Sequence, residues 1–279
     1  MAHPTRLASI AVIGLMLAAC ASRAVSPRVD PFPLRFPLAE AGVLEIEGHI
    51  VGQPRAKDGI VYFGTREGFF TAVVIPSRAV LWRSKTEHPL PSSTEPAGDI
   101  VVLRDAGLLQ AFDVEGKPIW EFKAGGAIEA DPAQAGGRVY FGDSERKFYC
   151  LDAATGKVRW QRRLQGAALH PALIRGGTVA VPASNSVVYF FSRRGGSILS
   201  WEAIPSRVIY ELAAAGSLAL VSSAAPAVTA LDLRTGRRVG QYEAFGPLVA
   251  GAVWSPPYVV LFVEDEESGR QRIIFLRSR

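Results

Sequence analysis

The sequence predicts an all-β fold, a β-propeller of six four-stranded antiparallel blades closed by an N-terminal strand, and three observations in one phase carry that prediction. A strand opening recurs at Gly59-Ile60-Val61-Tyr62-Phe63, Asp99-Ile100-Val101-Val102, Gly137-Arg138-Val139-Tyr140-Phe141, Gly177-Thr178-Val179, Gly216-Ser217-Leu218 and Pro257-Tyr258-Val259, with successive offsets of 40, 38, 40, 39 and 41. A second landmark runs through Asp113, Asp152, Ser192 and Asp232. A third runs through Trp82, Trp120, Trp160 and Trp201 and then Gly240. Fixed self-similarity at this period marks a solenoid, propeller or array, in which each unit buries its apolar faces against its neighbours.

Arg6 gives a short positive start, and an apolar run from Leu7 to Leu17 leads through Ala18 and Ala19 directly into Cys20. Residues 1–19 therefore read as a secretory signal, the run being shorter than the roughly 20 residues that cross a bilayer. The Leu17-Ala18-Ala19-Cys20 ending resembles the lipobox of bacterial lipoproteins, which implies a diacylglycerol on the Cys20 thiol and, with Ala21 next, an outer-membrane address on the periplasmic side. Residues 20–37 hold Pro27, Pro31, Pro33 and Pro37 without an apolar period and read as a lipidated, stiffened tether. At about 3.1 Å per residue, some fifteen residues of such a chain would reach up to ~45 Å from the anchor.

The propeller is expected over residues 38–279. Within a unit, short alternating apolar runs such as Arg138 to Gly142, Lys147 to Asp152 and Lys157 to Arg162 have strand spacing rather than helix spacing. Ala153-Ala154-Thr155-Gly156 and Leu233-Arg234-Thr235-Gly236 end in glycine, where a hairpin needs positive φ. Sheets of about four strands stacked radially bury both faces of a repeat this long. The recurring opening is read as each blade's first, innermost strand. Ile273-Ile274-Phe275-Leu276 corresponds to a third strand, and residues 43–47 occupy the fourth-strand phase before any opening, so the N-terminal strand is expected to complete the last blade and remove its open edge.

Cys150-Leu151-Asp152-Ala153-Ala154-Thr155-Gly156-Lys157-Val158-Arg159-Trp160 resembles the A-L-D-x-x-T-G-K-x-x-W signature of the quinoprotein-like, or PQQ-like, propeller repeat, and Ala230 to Gly240 repeats it without the tryptophan. The second unit has one residue fewer in its turn, and the fourth has one more before its tryptophan. In the first unit Val74 replaces the aspartate and Arg78 the glycine. The resemblance raises enzymes that bind pyrroloquinoline quinone and calcium, yet those have eight blades, about twice this length and a vicinal cysteine pair. This chain has two cysteines, Cys20 and Cys150, and no calcium ligand set, so no quinone, metal or other cofactor is expected and the reading is not an enzyme. Anchor, tether and propeller together also resemble the eight-bladed propeller lipoprotein of the machinery that assembles outer-membrane proteins, which implies a protein-interaction scaffold with an envelope partner.

Other features weigh less. The tryptophans Trp82, Trp120, Trp160 and Trp201 are expected to fill the space between blades, with Gly156 and Gly236 in hairpin turns. Asp113, Asp152 and Asp232 are expected to accept backbone N–H bonds at those turns. Cys150 fills a small-residue slot, and His49, His88 and His170 lack metal-ligand spacing. Glu264-Asp265-Glu266-Glu267 lacks the alternating ligands of a calcium loop and reads as a solvated hairpin tip. Charge is 31 basic against 26 acidic residues, +5, and +4 once a leader holding Arg6 is removed, an excess too small to imply nucleic acid. Lys157, Arg159, Arg193, Arg194, Arg234, Arg237 and Arg238 nevertheless fall in turns expected on one side of the disk, either as a basic interaction face or as scattered solubilising charge. The alternative to the scaffold is a six-bladed enzyme or sugar- or small-molecule-binding propeller with polar groups at the ends of the innermost strands, where this sequence offers Ile60-Val61-Tyr62, Val139-Tyr140-Phe141 and Val179-Ala180-Val181.

Overall fold

Strands with consecutive apolar side chains need cover on both faces, and the central residues of strands such as Thr178–Ala183, Val187–Ser192 and Tyr258–Glu264 are of this kind. The computed structural model describes residues 33–85, 100–105, 107–113 and 118–279. An N-terminal strand β1 (Leu38–Glu45) precedes a first sheet of β2 (Ile50–Lys57), β3 (Ile60–Thr65), β4 (Phe69–Val74) and β5 (Ala79–Lys85). The second holds β6 (Ile100–Asp105), β7 (Leu108–Asp113) and β8 (Pro118–Lys123). The third is β9 (Ala133–Gln134), β10 (Arg138–Gly142), β11 (Lys147–Asp152) and β12 (Val158–Arg163). The fourth is β13 (Leu173–Arg175), β14 (Thr178–Ala183), β15 (Val187–Ser192) and β16 (Ile198–Ala203). The fifth is β17 (Ala213–Ala215), β18 (Leu218–Ser222), β19 (Ala227–Asp232) and β20 (Arg238–Glu243). The sixth joins β21 (Leu248–Ser255), β22 (Tyr258–Glu264) and β23 (Gln271–Ser278) to β1.

All strand pairs are antiparallel, and β1 lies on β23 from Leu38 opposite Ser278 to Glu45 opposite Arg272. The core lies between sheets. Tyr140, Phe148 and Cys150 of the third sheet meet Val179, Val181 and Phe191 of the fourth. Val61, Phe63 and Val73 of the first meet Val260, Phe262 and Phe275 of the sixth. All six residues of β14 are buried, so its sequence shows an unbroken apolar run and no alternation.

One expectation about strand order is corrected. In every sheet but the second, where the preceding residues lie outside the described ones, the recurring opening is the second strand, because another strand precedes it: β9 has two residues, β13 and β17 have three each, and β2 and β21 have eight. These first strands converge, with β21 against both β2 and β17. Ile60-Val61-Tyr62, Val139-Tyr140-Phe141 and Val179-Ala180-Val181 therefore lie one strand out from the centre. The openings begin at hairpin turns. Asp58 and Gly59 have φ of 52° and 76°, and Gly136 and Gly137 have 52° and 69°, the paired positive values of a two-residue hairpin, which demands a strand on each side.

A bulge recurs where the third strand meets the fourth, at Ala72/Val73, Ala111/Phe112, Cys150/Leu151, Phe190/Phe191 and Ala230/Leu231. A bulge puts one extra residue on one strand and re-aims the side chains beyond it. Past the bulge, Trp82, Trp120, Trp160, Ser200 and Gly240 occupy one equivalent slot on the fourth strand, opposite Ala72, Ala111, Cys150, Phe190 and Ala230. Gly42 of β1, after its own shift, holds that slot in the sixth sheet.

Candidate interaction face

The turn from third to fourth strand is built from its sequence. The Asp152 carboxylate accepts the Thr155 N–H at 3.0 Å and the Thr155 hydroxyl at 2.9 Å through one oxygen, while Arg159 donates to the other at 2.5 Å. Asp232 accepts the Arg234 N–H at 3.0 Å, the Thr235 N–H at 2.7 Å and the Thr235 hydroxyl at 2.9 Å. Gly156 and Gly236 then donate back to the Asp152 and Asp232 carbonyls at 2.9 and 2.7 Å, with φ of 68° and 71°, values that L side chains rarely adopt. The Arg159 guanidinium, then Thr155, holds the Asp152 carboxyl below its usual range. Burial opposes the charge on Asp232, and the bonds from Thr235 and Arg234 outweigh it and lower its pKa. The side chain of Asp113 lies outside the described residues.

Each turn docks on the fourth-strand slot of the preceding sheet, and the two positions are matched in size. A methyl group on Gly156 would lie 2.7 Å from the Trp120 ring, and one on Gly196 would overlap Trp160. Trp120 Nε1–H donates to the Ala153 carbonyl at 2.7 Å, and Trp160 Nε1–H donates to that of Arg193 at 3.3 Å, so each indole is fixed at both its apolar and its polar end. Where the slot holds glycine the partner is large: Arg78 sits over Gly42 and Phe36 over Gly240.

Trp201 departs from its expected role. The extra residue before it places Ser200 in the slot, and because strand side chains alternate, Trp201 faces outward and is 64% exposed, beside exposed Ile198 and Leu199. Trp160 is 6% exposed, Trp120 is half-buried, and Trp82, though in a slot, is 40% exposed. Cys150 is fully buried, and burial pushes its thiol pKa up.

The cations named from the sequence divide into two groups. Arg193 donates to the Gly176 carbonyl at 3.3 Å and lies over Gly136, while Arg138 reaches the Arg193 and Arg194 carbonyls. Arg238 pairs with Glu202 at 3.5 Å and donates to the Ala203 carbonyl at 3.2 Å. Arg193 and Arg238 therefore join neighbouring sheets instead of offering free charge. Arg194, Arg234 and Arg237 are exposed and form no salt bridge among the described residues. Cys20 lies outside the described residues.

Sequence reasoning missed three features. The hairpin Asp265-Glu266-Glu267-Ser268-Gly269 uses the same turn chemistry, Asp265 accepting the Glu267 and Ser268 N–H groups at 3.1 and 3.0 Å, and the D-x-x-[ST]-G spelling was its signal. At the same end of the sheets as that hairpin, away from the D-x-x-T-G turns, the Ser144 and Ser184 hydroxyls each accept a loop N–H, from Ala127 and Ala167, at 3.0 Å. Arg55 of β2 donates to Glu211 at 3.1 and 3.2 Å beside a cavity of about 190 Å³ lined by Gln53, Ala213, Ala252 and Trp254. The two ionisable groups of that cavity neutralise each other, and no signal in the sequence pairs them. Among the described residues, no three His, Cys, Asp or Glu side chains converge as a metal site would require.

Radial four-stranded sheets locked by D-x-x-T-G turns define a propeller of PQQ-like repeats. The chain belongs to the family described as outer membrane protein assembly factor BamB, which matches residues 105–255, more than half of its length. It is 27% identical over 104 residues to outer membrane protein assembly factor BamB of Yersinia pestis, a stretch covering 33% of this chain and 26% of that protein, so the match spans about a quarter of the curated relative. Two solved structures share the fold. The computationally designed Ika8 protein has a TM-score of 0.57 at 16% identity over 81% of this chain and 70% of its own, and BamB from Moraxella catarrhalis has 0.50 at 14% identity over 88% and 98%.

Proposed function

We propose that this chain is an outer-membrane-anchored lipoprotein on the periplasmic side that acts by binding, as a non-enzymatic scaffold for proteins engaged in outer-membrane protein assembly. The observation that carries this reading is the match of residues 105–255 to a family described by that role. Leu17-Ala18-Ala19-Cys20 supplies the anchor in this reading, with residues 1–19 removed and 20–37 as the tether. Arg55 and Glu211, the two ionisable residues that line the cavity beside β2, β17 and β21, are paired with each other, which supports binding over acid–base chemistry in that cavity.

The test replaces Cys20 by alanine in the native organism and compares envelope fractions and the mass of the mature N-terminus. The wild-type chain is expected in the outer-membrane fraction with a lipid mass on Cys20, cross-linked there to components that fold β-barrel proteins, and Cys20→Ala in the soluble periplasm. Equal fractionation of the two chains with no lipid mass would refute the anchor, and an anchored chain without such cross-links would refute the scaffold.

A further inference from the structure

Antiparallel pairing sends the first-to-second and third-to-fourth turns of a sheet to one end and the second-to-third turns to the other. Contacts between neighbouring sheets keep the like ends together, as Arg193 over Gly136 and Trp160 against the Arg193 carbonyl demonstrate. The two ends differ in charge. In the fourth, fifth and sixth sheets the first end exposes Arg35, Arg175, Arg194, Arg234, Arg237 and Arg279. None of these six makes a salt bridge among the described residues. Acidic groups nearby are already engaged: Asp232 accepts bonds from its own turn, and Glu40 accepts the Tyr242 hydroxyl at 2.9 Å. At the opposite end of the same sheets Glu243, Glu264, Glu266 and Glu267 outnumber Arg207 and Arg270.

We propose that the basic end is a docking surface for the phosphate headgroups of anionic phospholipids, so that the propeller rests on the bilayer with its acidic end toward the periplasm. Clustered arginines without counter-ions are drawn to a negatively charged surface, and the attraction is additive over residues within a Debye length. The choice of a lipid surface over an acidic protein comes from the chain path. Arg35 N–H donates to the Ser278 hydroxyl at 2.9 Å and Arg279 N–H to the Pro37 carbonyl at 3.3 Å, so the segment preceding Pro33 is joined to the propeller at this same end. Residues 21–32 can span no more than roughly 40 Å when fully extended. An acyl chain on Cys20 would thus hold this end close to the membrane at high effective concentration. The orientation rests on the anchoring proposed above, whereas the charge asymmetry does not.

The test removes the anchor so that the two readings fail separately. The purified Cys20→Ala chain is sedimented with phosphatidylethanolamine vesicles made with and without phosphatidylglycerol, across a range of salt. Binding is expected only with phosphatidylglycerol and should weaken as salt rises. Each arginine near such a surface contributes about five-fold in partitioning, so combined Arg194→Glu, Arg234→Glu and Arg237→Glu should lower it at least about a hundred-fold. Arg207→Glu at the opposite end should leave it unchanged, and circular dichroism checks that both variants are folded. Indifference to phosphatidylglycerol, or equal binding by the triple variant, would overturn the proposal. Retention on an acidic polypeptide without vesicle binding would also overturn it, by assigning the end to a protein partner. Absence of lipid mass on Cys20 would defeat the anchor and leave this measurement standing.

Discussion

Replacing Trp160 by alanine should cost far more stability than replacing Trp201, although the two tryptophans belong to one periodic series in the sequence. The Trp160 ring is 6% exposed and lies with its centroid 6.0 Å from those of Tyr140, Phe148 and Phe191, between the third and fourth sheets. Truncating a buried tryptophan costs about 3–5 kcal/mol in transfer and cavity terms. The bond from its Nε1–H to the Arg193 carbonyl, at 3.3 Å, adds less than about 1 kcal/mol. At roughly 2–4 °C per kcal/mol for a domain of this size, Trp160→Ala should lower Tm by about 6–20 °C. Trp201 is 64% exposed on the outer edge strand, so its truncation should change stability by no more than about 0.5 kcal/mol. Urea unfolding followed by far-ultraviolet circular dichroism avoids the fluorescence change that both substitutions cause. A partner experiment isolates the lock: Gly196→Ala should be strongly destabilising alone and less so beside Trp160→Ala, because the ring that the methyl group strikes is gone and only the cost of a side chain at a φ of 67° remains. Similar losses for Trp160→Ala and Trp201→Ala, or additive effects of Trp160→Ala and Gly196→Ala, would refute the matched-size docking of turn on slot.

The same geometry carries three further expectations. Deleting residues 38–45 removes Leu38 from the core and leaves β23 with an open edge, so cooperative unfolding should be lost, whereas deleting residues 21–29 should leave Tm unchanged; equal melting curves would contradict the pairing of β1 with β23. The carboxyls of Asp152, Asp232 and Asp265 titrate below their ordinary value in the fold, so their stabilisation is complete above the unfolded pKa of about 3.9 and is lost as pH falls through the folded values. The stability gap between wild type and the Asp152→Asn, Asp232→Asn, Asp265→Asn variant should therefore begin to narrow below about pH 4 and close as pH falls through the lower folded values, and a gap independent of pH would show that the turns do not depend on the carboxylate charge. Cys150, buried with a raised pKa, should resist thiol reagents until the chain unfolds, and rapid labelling of the native protein would place it elsewhere.

What the residues disclosed, and what they concealed, divides along physical lines. A period of about forty residues and the D-x-x-T-G turns are local, so Asp152, Thr155 and Gly156 announced both the repeat and the hydrogen bonds that shape it. The innermost strands were hidden because two or three residues, such as Ala213–Ala215, are too few to show alternation. The turn residues Asp58-Gly59 and Gly136-Gly137 still carried the information, since a two-residue hairpin implies a strand before it. Trp201 was misplaced because a single inserted residue reverses every side chain after it, and counting tryptophans by period cannot detect that reversal. Arg193 and Arg238 resembled free turn cations in sequence. The carbonyl that Arg193 reaches, at Gly176, lies across its own sheet, and the partners of Arg238, Glu202 and Ala203, lie in the neighbouring one, so only the assembled fold brings them into reach.

The claim that this chain serves outer-membrane protein assembly is tested most directly by pulse-labelling cells that lack it and following the conversion of newly made outer-membrane β-barrel proteins to their folded, heat-modifiable form. The account predicts slower conversion, restored by the intact chain and not by Cys20→Ala. Conversion at the normal rate in cells without the chain would contradict it.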